Sequence, residues 1–459
     1  MNALSRQLVT ALAGTVLVLG ASLAGAQPRT QGGKSVGGAK GAQAEVSART
    51  LRNGMRVLVW PDHDIPNVSL HLYYRVGSRN ERPGITGLSH YFEHMMFNGS
   101  KEYPPGEFDR VMEANGGGNN AWTNQDVTAY TDWFTKGALE LIVKMEADRI
   151  CCLRFDSTSV ESERGVVASE RRATVDNDNG EFLDEQVWAA AFTAHPYQIP
   201  TIGWPSDIER WSMRDLQDYF RTYYAPNNAT AVIVGDVDPD EAFALAERYW
   251  APIPRQPAPM PVRTVEPPQL GERRVTVRRP GPTPLIEMGF HVGPGAGPDA
   301  EAEEMLEAIL THGESSRLYR RLVDQDRSAI EVGSYIHHGF DPGLLLIHVT
   351  VSPEAAPPAV EAALFEELAR VAREGASEEE LSKARNVLLA AHWRRLKTID
   401  GKAEALGTED VIGGDYRRIF GVADRYRRVT GKQVRTVAAR LFDERNRTVG
   451  ILLPTEEVP

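Results

Sequence analysis

Hydrophobic and polar positions alternate over several short stretches of this chain, and some of those stretches recur later in it. Val68 to Val76 has the period of a strand and runs into Gly77; Leu285 to Val292 has the same period and runs into Gly293, 216 positions on. Near the end of each half, Asn228 to Val234 parallels Asn446 to Leu452, each after a helical stretch. The repetition predicts a duplicated α+β unit of roughly two hundred residues, giving two homologous domains. Each is expected to be an antiparallel sheet with helices packed on one face. Seven prolines between Pro252 and Pro268 exclude a helix or a central strand there. They predict an extended linker over 252–270, between a first domain at 47–251 and a second at 271–459. Ser377 to Arg395, rich in Glu and Arg, has the pattern of a long amphipathic helix with a solvated face.

The start of the chain departs from this pattern. Arg6 is the sole charge before an apolar run from Leu8 to Leu23, and Ala24, Gly25 and Ala26 form a small-residue cleavage site. Residues 1–26 therefore read as a signal peptide and 27–46 as a flexible leader, with the mature protein periplasmic or secreted. The run is short for a membrane span, and no Cys follows the cleavage site to carry a lipid anchor. A net charge of −12 over 459 residues argues against nucleic acid or an anionic membrane surface as partner. Cys151 and Cys152 are adjacent and read as two small apolar side chains on a helix, with no disulfide framework and no metal-binding spacing.

The strongest chemical signal is His90-Tyr91-Phe92-Glu93-His94. Two imidazoles four apart on a helix point the same way, and the carboxylate before the second shares their face. A zinc hydrolase needs that set: two neutral nitrogens for the metal and a carboxylate that takes a proton from its bound water. A third ligand is still required. Glu163 and Glu170 lie seven apart, two helical turns on nearly one face, so one could bind metal while the other supports it. Their stretch also reads as a solvated charged helix, with Arg164, Arg171 and Arg172 as counterions.

The motif with its surroundings, Val76 to Glu81 and Thr86 to Ser100, resembles the pitrilysin/insulinase family of zinc peptidases, the inverzincins, and within it the short two-domain branch that includes the mitochondrial processing peptidase. In that family the third ligand is a glutamate 76 positions after the second histidine, and Glu170 stands there. The resemblance implies His90, His94 and Glu170 as ligands of Zn2+, Glu93 as general base, Glu163 as a supporting catalytic residue, and a fold forming half of a clamshell chamber. Gly116 to Thr123 resembles the strand beside the metal whose edge binds the substrate backbone, with Gly118, Asn120 and Ala121 as substrate-binding positions. Moving the motif forward by 216 lands on Leu306 to Leu310, so the second domain carries a non-catalytic copy.

One departure concerns assembly. Family members that act alone or as homodimers carry an arginine and a tyrosine seven apart to grip substrate. Aligned from Ser315 to Tyr319, those positions fall on Val323 and Ile330. The expectation is a zinc endopeptidase acting on peptides or unfolded segments as one subunit of a heterodimer, with a paralogous partner supplying the grip; a homodimer is the second choice. A peptide-binding or assembly subunit without activity is the alternative function. His195, His337 and His338 are expected to be structural.

Overall fold

The structure, a computed structural model, describes residues 46–455. The expected signal peptide at 1–26 and all but the last residue of the expected leader at 27–46 lie outside the described residues. Among the described residues, eleven strands form two mixed sheets. The first contains β1 (Ser47–Thr50), β2 (Arg56–Pro61), β3 (Asn67–Tyr74), β4 (Gly118–Thr123), β5 (Thr128–Thr135) and β6 (Ala229–Gly235), in the order β1-β2-β6-β3-β5-β4. The second contains β7 (Arg273–Pro280), β8 (Leu285–His291), β9 (Ala329–Ile336), β10 (Leu344–Val351) and β11 (Arg447–Thr455), in the order β7-β11-β8-β10-β9. Without β1 the two orders are the same. Each sheet is antiparallel except for one parallel pair, β2 with β6 and β7 with β11. The repeated sequence segments occupy equivalent places, β3 paired with β6 and β8 paired with β11. Between the helix that ends at Tyr249 and β7, the proline-rich stretch contains neither helix nor strand.

Six helices position the site or cross between the sheets: α1 (Leu88–Met95), α2 (Leu139–Cys152), α3 (Ser157–Arg171), α4 (Asn179–Ala191), α5 (Ala300–Thr311) and α6 (Ile399–Val411). Alternation along β3 sends Leu70, Leu72 and Tyr74 into a core with Phe92, Ile142 and Phe243. The helices of each half were expected on one face of their own sheet, with nothing specified for the other face. That face is covered by exchange. Tyr73, Val232 and Val234 pack against Ala403 and Leu406 of α6, which comes from the second half. Conversely, Leu183 and Val187 of α4 pack against Leu344, Leu346 and Leu452 of the second sheet. Burying both faces makes the two sheets parts of one packed body.

Leu306, Ile309 and Leu310 of α5 are buried in the second core, as expected for a copy of the motif without its polar atoms. The expectation for the cysteines is corrected. Cys151 and Cys152 are joined by a disulfide at the end of α2. The helix stops there, Leu153 turns away into a bridge with Ser100, and Cys151 faces solvent. The pair therefore lacks the apolar packing that the sequence reading assumed.

Candidate metal centre

The apolar side of α1 fixes where its polar side points. Leu88, Tyr91, Phe92 and Met95 are fully buried, leaving His90, Glu93 and His94 on the open side. The helix begins at Gly87, whose φ of 88° suits glycine. Glu81 caps this end: its carboxylate accepts from the Gly87 and Ser89 backbone N–H groups at 2.6 and 2.7 Å. Burial pushes its pKa up to about 8 against the lowering effect of those two hydrogen bonds. Tyr130 Oη donates to the Phe92 carbonyl, and Tyr91 Oη to that of Val160 in α3.

Helix α3 brings both glutamates to α1. Glu170 Oε2 lies 3.1 Å from His94 Nε2, and Glu170 Oε1 lies 3.6 Å from His90 Nε2. The imidazole centroids are 4.7 Å apart. Ligand atoms of His90, His94 and Glu170 all fall within 4.8 Å of one another. At zinc–ligand bonds of about 2.0–2.2 Å, neighbouring donors of a tetrahedral site stand ~3.3 Å apart, so this set fits a zinc ion. Glu163 plays a different part. Its Oε1 is 2.8 Å from His94 Nδ1, while Oε2 accepts from Asn98 Nδ2 at 2.6 Å. That contact commits Nδ1 of His94 to the carboxylate and leaves Nε2 for a metal.

The electrostatics favour a cation at this point. Burial works against a charge on His94, yet the hydrogen bonds it donates to Glu163 and Glu170 outweigh it and push its pKa up to about 10. Burial likewise raises the Glu170 carboxyl, but the adjacent His90 and His94 hold it well below the usual carboxylate range. Among the described residues no ion pair or hydrogen bond holds the partly exposed Glu93. Its carboxylate is thus open to a water beside the ligand set.

Strand β4 pairs with β5 along one side and is the last strand of its sheet. Asn120 is exposed, and Gly118 and Ala121 are half-buried. The glycine at 118 has a packing reason: a Cβ there would lie 2.4 Å from the Trp133 indole on β5. A cavity of about 240 Å³ opens beside His90, lined by Glu181, Asp184, Trp188 and Tyr197 among others. Burial, with the nearby charge of Glu181, pushes Asp184 up to about 7; it hydrogen-bonds Glu287 of β8, which is also raised. Sequence reasoning missed Glu81 and Asp184, whose roles come from partners distant in the chain or on separate elements.

The other expectations fall out plainly. His195 contacts Asp341, His337 contacts Asp126, and His338 contacts Glu303, and none of the three belongs to the converging set of His90, His94 and Glu170. Val323 is half-buried against the second core, and Ile330 on β9 is 56% exposed.

Residues 56–204 match the family model described as insulinase (peptidase family M16), and residues 210–388 match that of the peptidase M16 inactive domain. Among curated proteins, the zinc protease PqqE of Helicobacter pylori is 30% identical over 339 residues, 73% of this chain and 76% of that one. An uncharacterized zinc protease of Mycobacterium tuberculosis is 28% identical over 399 residues, 86% and 90% of the two chains. A solved protease structure from Helicobacter pylori superposes with a TM-score of 0.86 at 27% identity, covering 89% of this chain and 99% of the other.

Proposed function

The chain belongs to the M16 peptidase family, and from that premise we propose that it is a zinc-dependent endopeptidase cutting peptides or unfolded polypeptide segments. The observation that carries this reading is the convergence of His90, His94 and Glu170 with Glu93 one residue before the second histidine. His90 Nε2, His94 Nε2 and a Glu170 oxygen would hold the ion, with Glu163 fixing the His94 ring. Zinc, when bound, supplies a water that ionises near neutral pH and a Lewis acid for the scissile carbonyl. Glu93 accepts the proton of the attacking water and delivers it to the departing amine. The free side of β4 around Gly118, Asn120 and Ala121 takes the substrate backbone as an added strand, which reads little sequence.

The expected export signal supports a periplasmic or secreted location for this activity; no described helix is long and apolar enough to cross a membrane. Val323 and Ile330 stand where relatives grip substrate, and neither side chain donates a hydrogen bond. That supports a heterodimer with a paralogous subunit. A metal assay joined to cleavage of a quenched peptide tests the function: one zinc per chain and chelator-sensitive cleavage are expected. Purified protein without zinc, alone and with its partner, would favour the peptide-binding or assembly role.

A further inference from the structure

The third ligand of the proposed centre is followed by a residue with no part in the chemistry described so far. Arg171 is 3% exposed. Its Nη1 and Nη2 donate to the two oxygens of Glu185 at 2.8 and 3.0 Å, a bidentate pair across α3 and α4. Glu185 is itself 7% exposed. Nη1 also donates to the Gly203 carbonyl at 2.8 Å, and Nε lies 3.3 Å from Asp176.

Gly203 leads directly to the other ligand-bearing helix. A Cβ on Gly203 would lie 2.6 Å from Cα of Gly87, and one on Gly87 would lie 2.5 Å from the Ile202 carbonyl oxygen. Backbone therefore packs on backbone at the residue that starts α1, three positions before His90. Nothing but glycine fits at either position, and both have positive φ, 87° and 88°.

We propose that Arg171 is the positioning residue that sets the separation of the two ligand-bearing helices, with Glu185 as the anchor that immobilises it. One guanidinium ties the Glu170 end of α3 to α4 and, through Gly203, to the first turn of α1. It touches neither the metal nor the substrate; it acts by holding Glu170 against His90 and His94. A lysine could not reproduce the arrangement, because its single ammonium cannot form the planar pair with Glu185 and reach Gly203 in fixed geometry. The inference rests on the zinc reading above.

The test reads metal affinity and metal geometry, apart from activity. Arg171→Met should weaken zinc binding by about 10–100-fold in a chelator competition and alter the absorption spectrum of the Co2+-loaded protein. It also strands a buried carboxylate, which lowers the melting temperature of the metal-free protein. Arg171→Met with Glu185→Leu removes that lone charge, so the metal-free melting temperature should recover while zinc affinity stays weak. Arg171→Lys, which keeps the charge pair, should fall between wild type and Arg171→Met in zinc affinity. Wild-type zinc affinity and an unchanged Co2+ spectrum in the folded double variant or in Arg171→Lys would overturn the proposal. Failure of the wild-type protein to bind zinc through His90 and Glu170, shown by equal uptake in His90→Ala, would instead overturn the zinc reading.

Discussion

His94 Nδ1 lies 2.8 Å from Glu163 Oε1, so the carboxylate seven residues before Glu170 holds the ring that Glu170 faces. The two glutamates divide their work by which imidazole nitrogen each meets. Glu163→Ala leaves all three ligands in place but frees the His94 ring and its tautomer. Zinc affinity should fall by about 10–100-fold, read by chelator competition, with kcat falling as well. Unchanged affinity would place Glu163 outside the metal site.

Zinc binding should expel a proton. With its pKa at about 10, His94 in the metal-free site is charged at neutral pH, and a metal takes only the neutral ring. Affinity therefore rises with pH up to about 10. The same raised pKa stabilises the metal-free fold most below the unfolded value of about 6.5, and that contribution fades as pH climbs toward 10. Calorimetric titration with zinc at pH 7 in two buffers of different ionisation enthalpy should give different apparent enthalpies. Equal values would contradict proton release.

The cavity beside His90 favours a basic side chain near the cleaved bond, because Glu181 and Asp184 line it. A charged hydrogen bond of about 1.5–3 kcal/mol corresponds to a preference of about 10–150-fold for Arg or Lys. Asp184→Asn should remove most of that preference in a peptide library. Burial and Glu181 keep Asp184 protonated below about 7, so the preference should grow as pH rises through 7.

Ile330 is exposed on β9, and in the proposed reading it occupies the position of the substrate-gripping tyrosine. Ile330→Tyr restores a donor, worth about 1 kcal/mol, and should raise kcat/KM of the isolated chain several-fold. High activity of the unmodified chain alone would argue against dependence on a partner.

The legible parts of this protein were the local ones. Helical spacing put His90, Glu93 and His94 on one face of α1, where they stand; strand alternation located β3 and β8, and the second pair of repeated segments falls on β6 and β11. Helical spacing alone did not choose between Glu163 and Glu170; the family resemblance pointed to Glu170, and the approach of α3 to α1 shows which imidazole nitrogen each glutamate meets. The crossing of α4 and α6 to the opposite sheets was invisible for a similar reason. An apolar helix face does not say which sheet it covers. Arg171 read as a counterion on a solvated helix, because charge patterns along a helix do not reveal burial or the partner Glu185. Gly118, at the start of β4, was expected only as a substrate-binding position; the close Trp133 ring is a packing reason for glycine there that the sequence did not reveal.

The most direct test of the central claim is Glu93→Gln, which removes the proton acceptor and keeps all three ligand side chains. The measurement is zinc stoichiometry and quenched-peptide cleavage on the same preparation. The expected result is one zinc per chain with cleavage reduced by at least about 10²–10⁴-fold. Full zinc occupancy with cleavage at the wild-type rate would contradict Glu93 as the base and the mechanism built on it.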